Sequence, residues 1–231
     1  MAANAGSDQE KSLSGDRPDF TDGTDTVAQG AGQLEAGVTY DLEIGSVSLP
    51  DALVRIGIHD SAEIRVATPS ISVGGEVDSI GLDFGVGMKA SKSVSEQLAL
   101  GVLPTVAVGL GPTGFVAPSL TMLIGYSLAD GVGLASNVGV TSWSVLSGSS
   151  ENAMLIGYYA SLSTGIDISD TVGLFAEVFG ESAGADLGWG YGADGGLTML
   201  VSSHLQLDAH FGTSLDGSGS MWVGTGVVWM F

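Results

Sequence analysis

His204-Leu-Gln-Leu-Asp-Ala-His-Phe211 alternates without a break, with Leu205, Leu207, Ala209 and Phe211 on one side and His204, Gln206, Asp208 and His210 on the other. Successive side chains of an extended chain point to opposite faces, so this octapeptide reads as a strand with one apolar and one polar face. A helix would scatter the two sets around its axis. The stretch 79–89 repeats the pattern, setting Ile80, Leu82, Phe84, Val86 and Met88 against Gly81, Asp83, Gly85, Gly87 and Lys89.

Working outward, the same period recurs over 33–44, 50–59, 62–71, 79–89, 96–108, 115–127, 132–145, 153–166, 171–181, 188–201, 204–214 and 219–231. About ten residues per stretch, separated by turn residues, is the signature of a transmembrane antiparallel β-barrel. The predicted fold class is therefore all-β: an up-and-down barrel of about 12 strands. Connections at 59–61, 90–95, 129–131, 167–170 and 202–203 are short, whereas Ser147-Gly-Ser-Ser-Glu151 and Asp216-Gly-Ser-Gly-Ser220 are looser. That asymmetry predicts both termini on the short-turn, periplasmic side.

Composition narrows the classes. Of 231 residues 37 are Gly, about twice the usual share, and 44% are hydrophobic while only 14% are charged. A disordered acidic chain would be less hydrophobic. With 26 acids against 6 bases and a net charge of -20, no basic face exists for nucleic acid. Zero Cys removes disulfides and thiolate chemistry. The uncharged run Gln97–Ala129 has the length of a membrane helix, but Pro104, Pro112 and Pro118 interrupt it and Gly109-Leu-Gly-Pro-Thr-Gly114 reads as a turn. Two strands are predicted there.

A soluble sheet would also have a core face and a wet face. Here the polar face is mostly Gly, Ser, Thr and Ala rather than the Lys and Glu of a soluble surface. Tyr126 and Trp229 fall near strand ends on the short-turn side, and Trp143, Trp189 and Trp222 near the opposite ends. Such placement predicts two aromatic girdles at the membrane interfaces. The last stretch alternates up to Trp229 and stops on Phe231, which resembles the C-terminal signal read by the outer-membrane assembly machinery.

Arg17-Pro-Asp-Phe-Thr-Asp22, Gln33-Leu-Glu-Ala-Gly37, and Leu53-Val-Arg-Ile-Gly-Ile-His-Asp60 leading into Ala62-Glu-Ile-Arg65 carry a further likeness. Together they resemble the outer-membrane transporter family named for a putative MetA-pathway of phenol degradation. The resemblance runs from Arg17 to Phe231, with identifiable motifs in the first third. It implies one β-barrel in the outer membrane that passes small molecules. Met1-Ala-Ala-Asn-Ala-Gly-Ser7 lacks the charged and apolar regions of a secretory signal, so a mature form is expected.

Two units are expected: a flexible segment over 1–30, and a barrel over 31–231. The segment carries six acids against Lys11 and Arg17. It reads either as a disordered tail or as a plug that places Arg17, Asp19 and Phe20 in the lumen mouth.

Function is expected on the inner face. Keeping aliphatic residues outward sets Ile56 opposite Ile64 and Val54 opposite Val66, which puts Arg55 opposite Arg65 with Glu63 one step along. Facing guanidinium groups repel unless acids lie nearby. Glu35 and Asp41 are candidates, as are Asp19, Asp22 and Asp25 if the N-terminal segment folds inward. Glu177, Gln206, Asp208 and His210 form a second inward set, and Asp83 and Asp194 join the lumen lining. The set reads either as a hydrated, ion-braced wall or as a selectivity constriction. Inward glycines such as Gly139, Gly192, Gly196, Gly224 and Gly226 are expected to leave room for water, solute or a plug.

Acids at 35, 41, 43, 63, 83, 177, 194 and 208 outnumber Arg55, Arg65 and Lys89, which predicts a weak cation preference. No catalytic set is expected. His210 and Ser214 share a face but lie about 13 Å apart at the strand rise. The pattern of an outer-membrane phospholipase is missing, and three His without Cys support neither a metal nor a cofactor. The expected function is a passive outer-membrane channel for small solutes, with a closed, lipid-interacting barrel as the alternative. The expected partners are the lipid bilayer, the assembly machinery and small solutes.

Overall fold

The computed structural model describes residues 13–75, 79–80, 83–110, 114–145, 154–182 and 188–231, with the backbone alone at 79–80, 143–145 and 154. Expectations for the side chains of Ile80 and Trp143, for Gly81 and Leu82, for the centre of the Gly109–Gly114 turn and for the loop at 147–151 fall outside the described residues.

The alternating stretches form strands and only strands among the described residues. These are β1 (Gly32–Asp41), β2 (Ser46–Leu49), β3 (Leu53–His59), β4 (Ala62–Ala67), β5 (Ile71–Gly74), β6 (Ser79–Ile80), β7 (Asp83–Ser93) and β8 (Leu98–Gly109). They continue as β9 (Phe115–Ala129), β10 (Val132–Val145), β11 (Met154–Asp167), β12 (Val172–Ser182), β13 (Gly190–Ser202), β14 (Leu205–Ser214) and β15 (Met221–Met230). Twelve of them, β1, β3, β4 and β7 to β15, pair antiparallel in sequence order. β15 returns to β1 in a register from Gln33–Met230 to Asp41–Trp222, which closes the barrel and leaves the ring without an edge.

Three short strands extend this wall beyond the twelve. β1 pairs with β3 at Gly32–Glu35 and with β2 at Thr39–Asp41, while Pro50, which has no N–H, lies between β2 and β3. Past the break β2 pairs with β5, and β5 with β6. The start of β1 and the end of β15 lie at the end of the barrel where the short turns gather.

Alternation decides which side is which. Ile56, Ile64, Val86, Met88, Val102, Leu120, Met122, Val138, Leu162, Val178 and Leu207 are all exposed on the outer surface. Such a continuous apolar belt has no place in water and matches a bilayer. Arg55, Lys89, Glu35, Glu63 and Gln33 are fully buried inside. Polar inside and apolar outside is the inverse of a soluble protein.

The girdle expectation needs one correction. Tyr126 and Trp229 are exposed at the short-turn end, and Trp189 stacks on Tyr191 at the other. Trp222 instead faces the lumen, its ring lying over Gly212 and 6.3 Å from the Phe179 ring. It shares the parity of Val228, which is buried.

The inward glycines are also not empty space. A Cβ at Gly139 would collide with Tyr159, at Gly192 with Phe179, at Gly196 with Phe175 and at Gly224 with His210. Each of these rings sits directly across the ladder from the glycine that it covers. The wall thus fills its own notches with flat side chains from the neighbouring strand, which packs the seam and adds cross-strand contact.

Candidate functional site

Residues Leu13–Ala31 form no strand and cross the lumen, held by side chains of the wall. Leu13 and Val27 are buried among its few apolar residues. Gly57 lets the segment touch the wall. The Gly30 amide donates to the Gly57 carbonyl at 2.9 Å, Gly57 N–H donates to Ala31 at 3.0 Å, and any Cβ at Gly57 would meet the Ala28 carbonyl.

One side of the wall is cationic. β3 and β4 pair with Val54 opposite Val66, Arg55 opposite Arg65 and Ile56 opposite Ile64, the register that alternation predicts. Glu63 faces Lys89 of β7. Arg55 donates to Glu35 Oε1 at 2.8 Å and to both Glu63 oxygens at 2.8 and 3.0 Å. Its remaining N–H groups reach the carbonyls of Ser14 at 2.9 Å and Asp25 at 3.0 Å. Lys89 Nζ lies 2.6 Å from Asp16 Oδ2 and 2.9 Å from the Gly23 carbonyl. Arg65 pairs with the same Asp16 oxygen and donates to Asp22 Oδ1 at 2.7 Å. Arg55 Nη1 is 3.2 Å from that oxygen as well. Stripping water from such charges costs several kcal/mol per ion, so the network persists only because nearly every donor has an acceptor. Burial by itself would raise the Asp16 carboxyl; Arg55, Lys89 and Arg65 outweigh it and hold the group well below the usual carboxylate range.

The opposite side is acidic. Glu177 Oε2 accepts the Phe20 amide at 2.7 Å, and its other oxygen accepts the Thr21 hydroxyl. Thr21 Oγ1 is also 2.7 Å from Ser161 Oγ. Asn137 grips Asp22 through both main-chain groups, at 2.8 and 2.9 Å. Ser163 donates to Asp19 at 2.8 Å. Burial pushes the Asp19 carboxyl up to about 7 despite that hydrogen bond, with Glu177 and Asp16 adding like-charge repulsion. Asp194 faces Glu177 across the β12–β13 ladder. Phe20 stacks on Phe179 at 4.6 Å and meets Tyr159 edge-on at 6.3 Å.

Arg17 turns toward the closing seam. Its amide donates to Glu35 Oε2 at 3.0 Å, and its guanidinium reaches Asp208 at 3.4 Å and Asp51 at 3.2 Å. The group lies over Gly37 and Gly226, which face each other across β1 and β15. Gln206 is buried beneath Gly15.

Other expected residues lie elsewhere. Asp41 is not part of the ion network: Oδ1 accepts the Glu43 and Ile44 amides at 2.9 and 3.1 Å, capping its own turn. Asp25 contributes its carbonyl to Arg55 and Lys89, while its carboxylate accepts Ser14 Oγ at 3.3 Å. Asp83 is exposed at the loop end of β7, and His210 covers Gly224. Ser214 contacts Ser218 Oγ at 2.5 Å, away from His210. Trp229 packs against Phe231 at 5.1 Å, and Phe231 exchanges both main-chain hydrogen bonds with Gly32. Among the described residues no three His, Cys, Asp or Glu side chains converge as a metal site.

The hub of the network, Asp16, was not singled out from the sequence, nor were Asn137, Ser161 and Ser163. Asp16 is one of six acids in residues 1–30, a stretch of sequence without strand periodicity, and nothing local marks it. Between residues 19–25 and β8–β11 a polar cavity of about 410 Å³ remains beside Thr24, Asp25, Gln97 and Tyr126.

No known protein family matches the chain by sequence, and no curated protein does. Solved structures match by fold. The COG4313 outer membrane channel from Pseudomonas putida F1 aligns at a TM-score of 0.65 with 12% identity, covering 90% of this chain and 98% of that one. The KdgM porin in complex with disordered oligogalacturonate aligns at 0.63 with 8% identity, covering 86% and 99%. The NanC porin aligns at 0.61 with 7% identity, covering 85% and 98%. These likenesses place the chain in the fold of outer-membrane barrels.

Proposed function

We propose that this protein is a passive outer-membrane channel for small molecules whose lumen is closed by residues 13–31. One observation carries the reading. The segment is bound to the wall almost wholly by side-chain hydrogen bonds and ion pairs, not by strand pairing, so it can leave without opening the barrel. The proteins that share the fold include porins and an outer membrane channel, which supports the same role here. Residues 31–231 are the channel body, the outer apolar belt meets lipid, and Trp229 and Phe231 at the end of the closing strand are the signal for the assembly machinery.

A weak cation preference is the finer part of this proposal. It rests on the acid excess of the inner face, and pairing of Glu35, Glu63 and Asp208 with Arg55 and Arg17 reduces it. Planar-bilayer recording tests both parts. The full chain should be closed or flicker rarely, and removal of residues 1–28 should give a steady conductance. A barrel without the segment that still carries no current would leave the closed, lipid-interacting alternative. A reversal potential across a salt gradient measures the preference.

A further inference from the structure

Three cations of the wall, Arg55, Arg65 and Lys89, converge on a single carboxylate oxygen, Asp16 Oδ2, which belongs to the segment and not to the wall. The next residue carries the opposite charge to other partners. Arg17 meets Asp208 and Asp51, and its planar group rests on Gly37 and Gly226, where a Cβ at either position would collide with it. Between the two, Glu35 accepts the main-chain amides of both Asp16 and Arg17, at 3.3 and 3.0 Å. The bases sit on consecutive strands β3, β4 and β7 of the twelve-strand ring, and the acids Glu177, Asp194 and Asp208 on consecutive strands β12, β13 and β14, nearly opposite.

Building on the channel reading above, we propose that the lumen takes up small zwitterions bearing a carboxylate and an amine or guanidine group, and that Asp16-Arg17 is the resident copy of such a solute. With the segment withdrawn, the wall holds a carboxylate station and a cation station within reach of one molecule, because adjacent residues fill them now. A simple anion satisfies Arg65 and Lys89 but leaves Asp208 without its cation. A simple cation does the reverse. A buried charge that loses its partner is costly, so a solute carrying both charges is favoured over either alone.

The test uses the full chain in detergent with Asp16→Ala and Arg17→Ala, which removes the side chains that fill both stations. The probe is 4-aminobutyrate, compared with butyrate and butylammonium at matched ionic strength. The zwitterion should raise the unfolding midpoint with dose, by about 2–4 °C for each kcal/mol of binding. Each single ion should do less, and adding Arg65→Gln should remove the gain. Equal shifts from all three, or none, overturn the proposal. If the double variant does not fold, amide exchange in the unaltered chain decides. There, 4-aminobutyrate competing with the segment should speed exchange at Phe20, Asp22 and Val27, and no change overturns the idea. Neither readout is a current, so binding without conductance would count against the channel and not against the ligand class.

Discussion

Lys89 Nζ, on the barrel wall, lies 2.6 Å from Asp16 Oδ2, on the segment that crosses the lumen. Lys89 is fully buried and 73 residues away in sequence, so its nearest strong counter-charge is lent by an element that can leave. The stability of the wall and the position of the segment are therefore coupled.

Asp16→Asn should expose that coupling. It removes the counter-charge shared by Arg55, Arg65 and Lys89, and breaking a buried pair on one side costs about 3–5 kcal/mol. We expect a lower unfolding midpoint in detergent and frequent channel openings in a bilayer. Adding Lys89→Met should recover part of the loss, since neighbours in one network are not additive. Purely additive losses would mean that the two groups do not interact.

Glu177→Gln should loosen the far end of the segment. The carboxylate accepts the Phe20 amide and the Thr21 hydroxyl, and hydrogen bonds to a charged acceptor contribute about 1.5–3 kcal/mol. Exchange of the Phe20 amide should quicken by at least roughly tenfold, the factor that corresponds to about 1.4 kcal/mol. Exchange of amides within β9 and β10 serves as the control and should not move.

Docking of the segment should depend on pH through Asp19. Its carboxyl is raised by burial to about 7, with Glu177, Asp194 and Asp16 as the charged groups around it. The docked form thus binds more protons than the undocked one. Its contribution is fully present below the ordinary carboxylate value and is lost as pH rises through about 7. Asp16 shifts the other way, so its contribution is present above the ordinary value and lost only well into acid. Openings should therefore be more frequent at pH 8 than at pH 5, and Asp19→Asn should flatten the profile. A profile that rises toward acid would falsify this assignment.

Gly192→Ala should show that the covering rings matter. A Cβ there would collide with Phe179, whose ring also stacks on Phe20. Overpacking of this kind costs about 1–3 kcal/mol. Pairing it with Phe179→Ala should relieve the clash, so the double variant should lie closer to the parent than additivity allows. Thermal unfolding of the four proteins measures it.

Period-two alternation was enough to place all twelve ring strands, since each side chain must face lipid or lumen and a one-residue slip would exchange the two. Arg55 opposite Arg65 follows from that rule alone. Three features were not legible. β2, Ser46–Leu49, falls in what reads as the connection between the stretches 33–44 and 50–59, because four residues ahead of Pro50 are too few to show a period. Trp222 lies near a strand end, which reads as a membrane-surface position, although its parity turns it inward. The inward glycines promised empty space, but whether a notch is filled depends on which ring stands across the ladder.

What the amino-acid order determined by itself is local and periodic: strand, turn, inner face and outer face. Only the closed barrel decided what those faces meet. Asp16 becomes the centre of a cation cluster because β3, β4 and β7 curve around a segment that carries no pattern of its own. Its partners at 55, 65 and 89 are brought together by ring closure and not by spacing along the chain. Periodicity reports on the solvent that each residue faces. Contacts between residues far apart in sequence report on how the sheet bends back on itself, and no short window of sequence contains that.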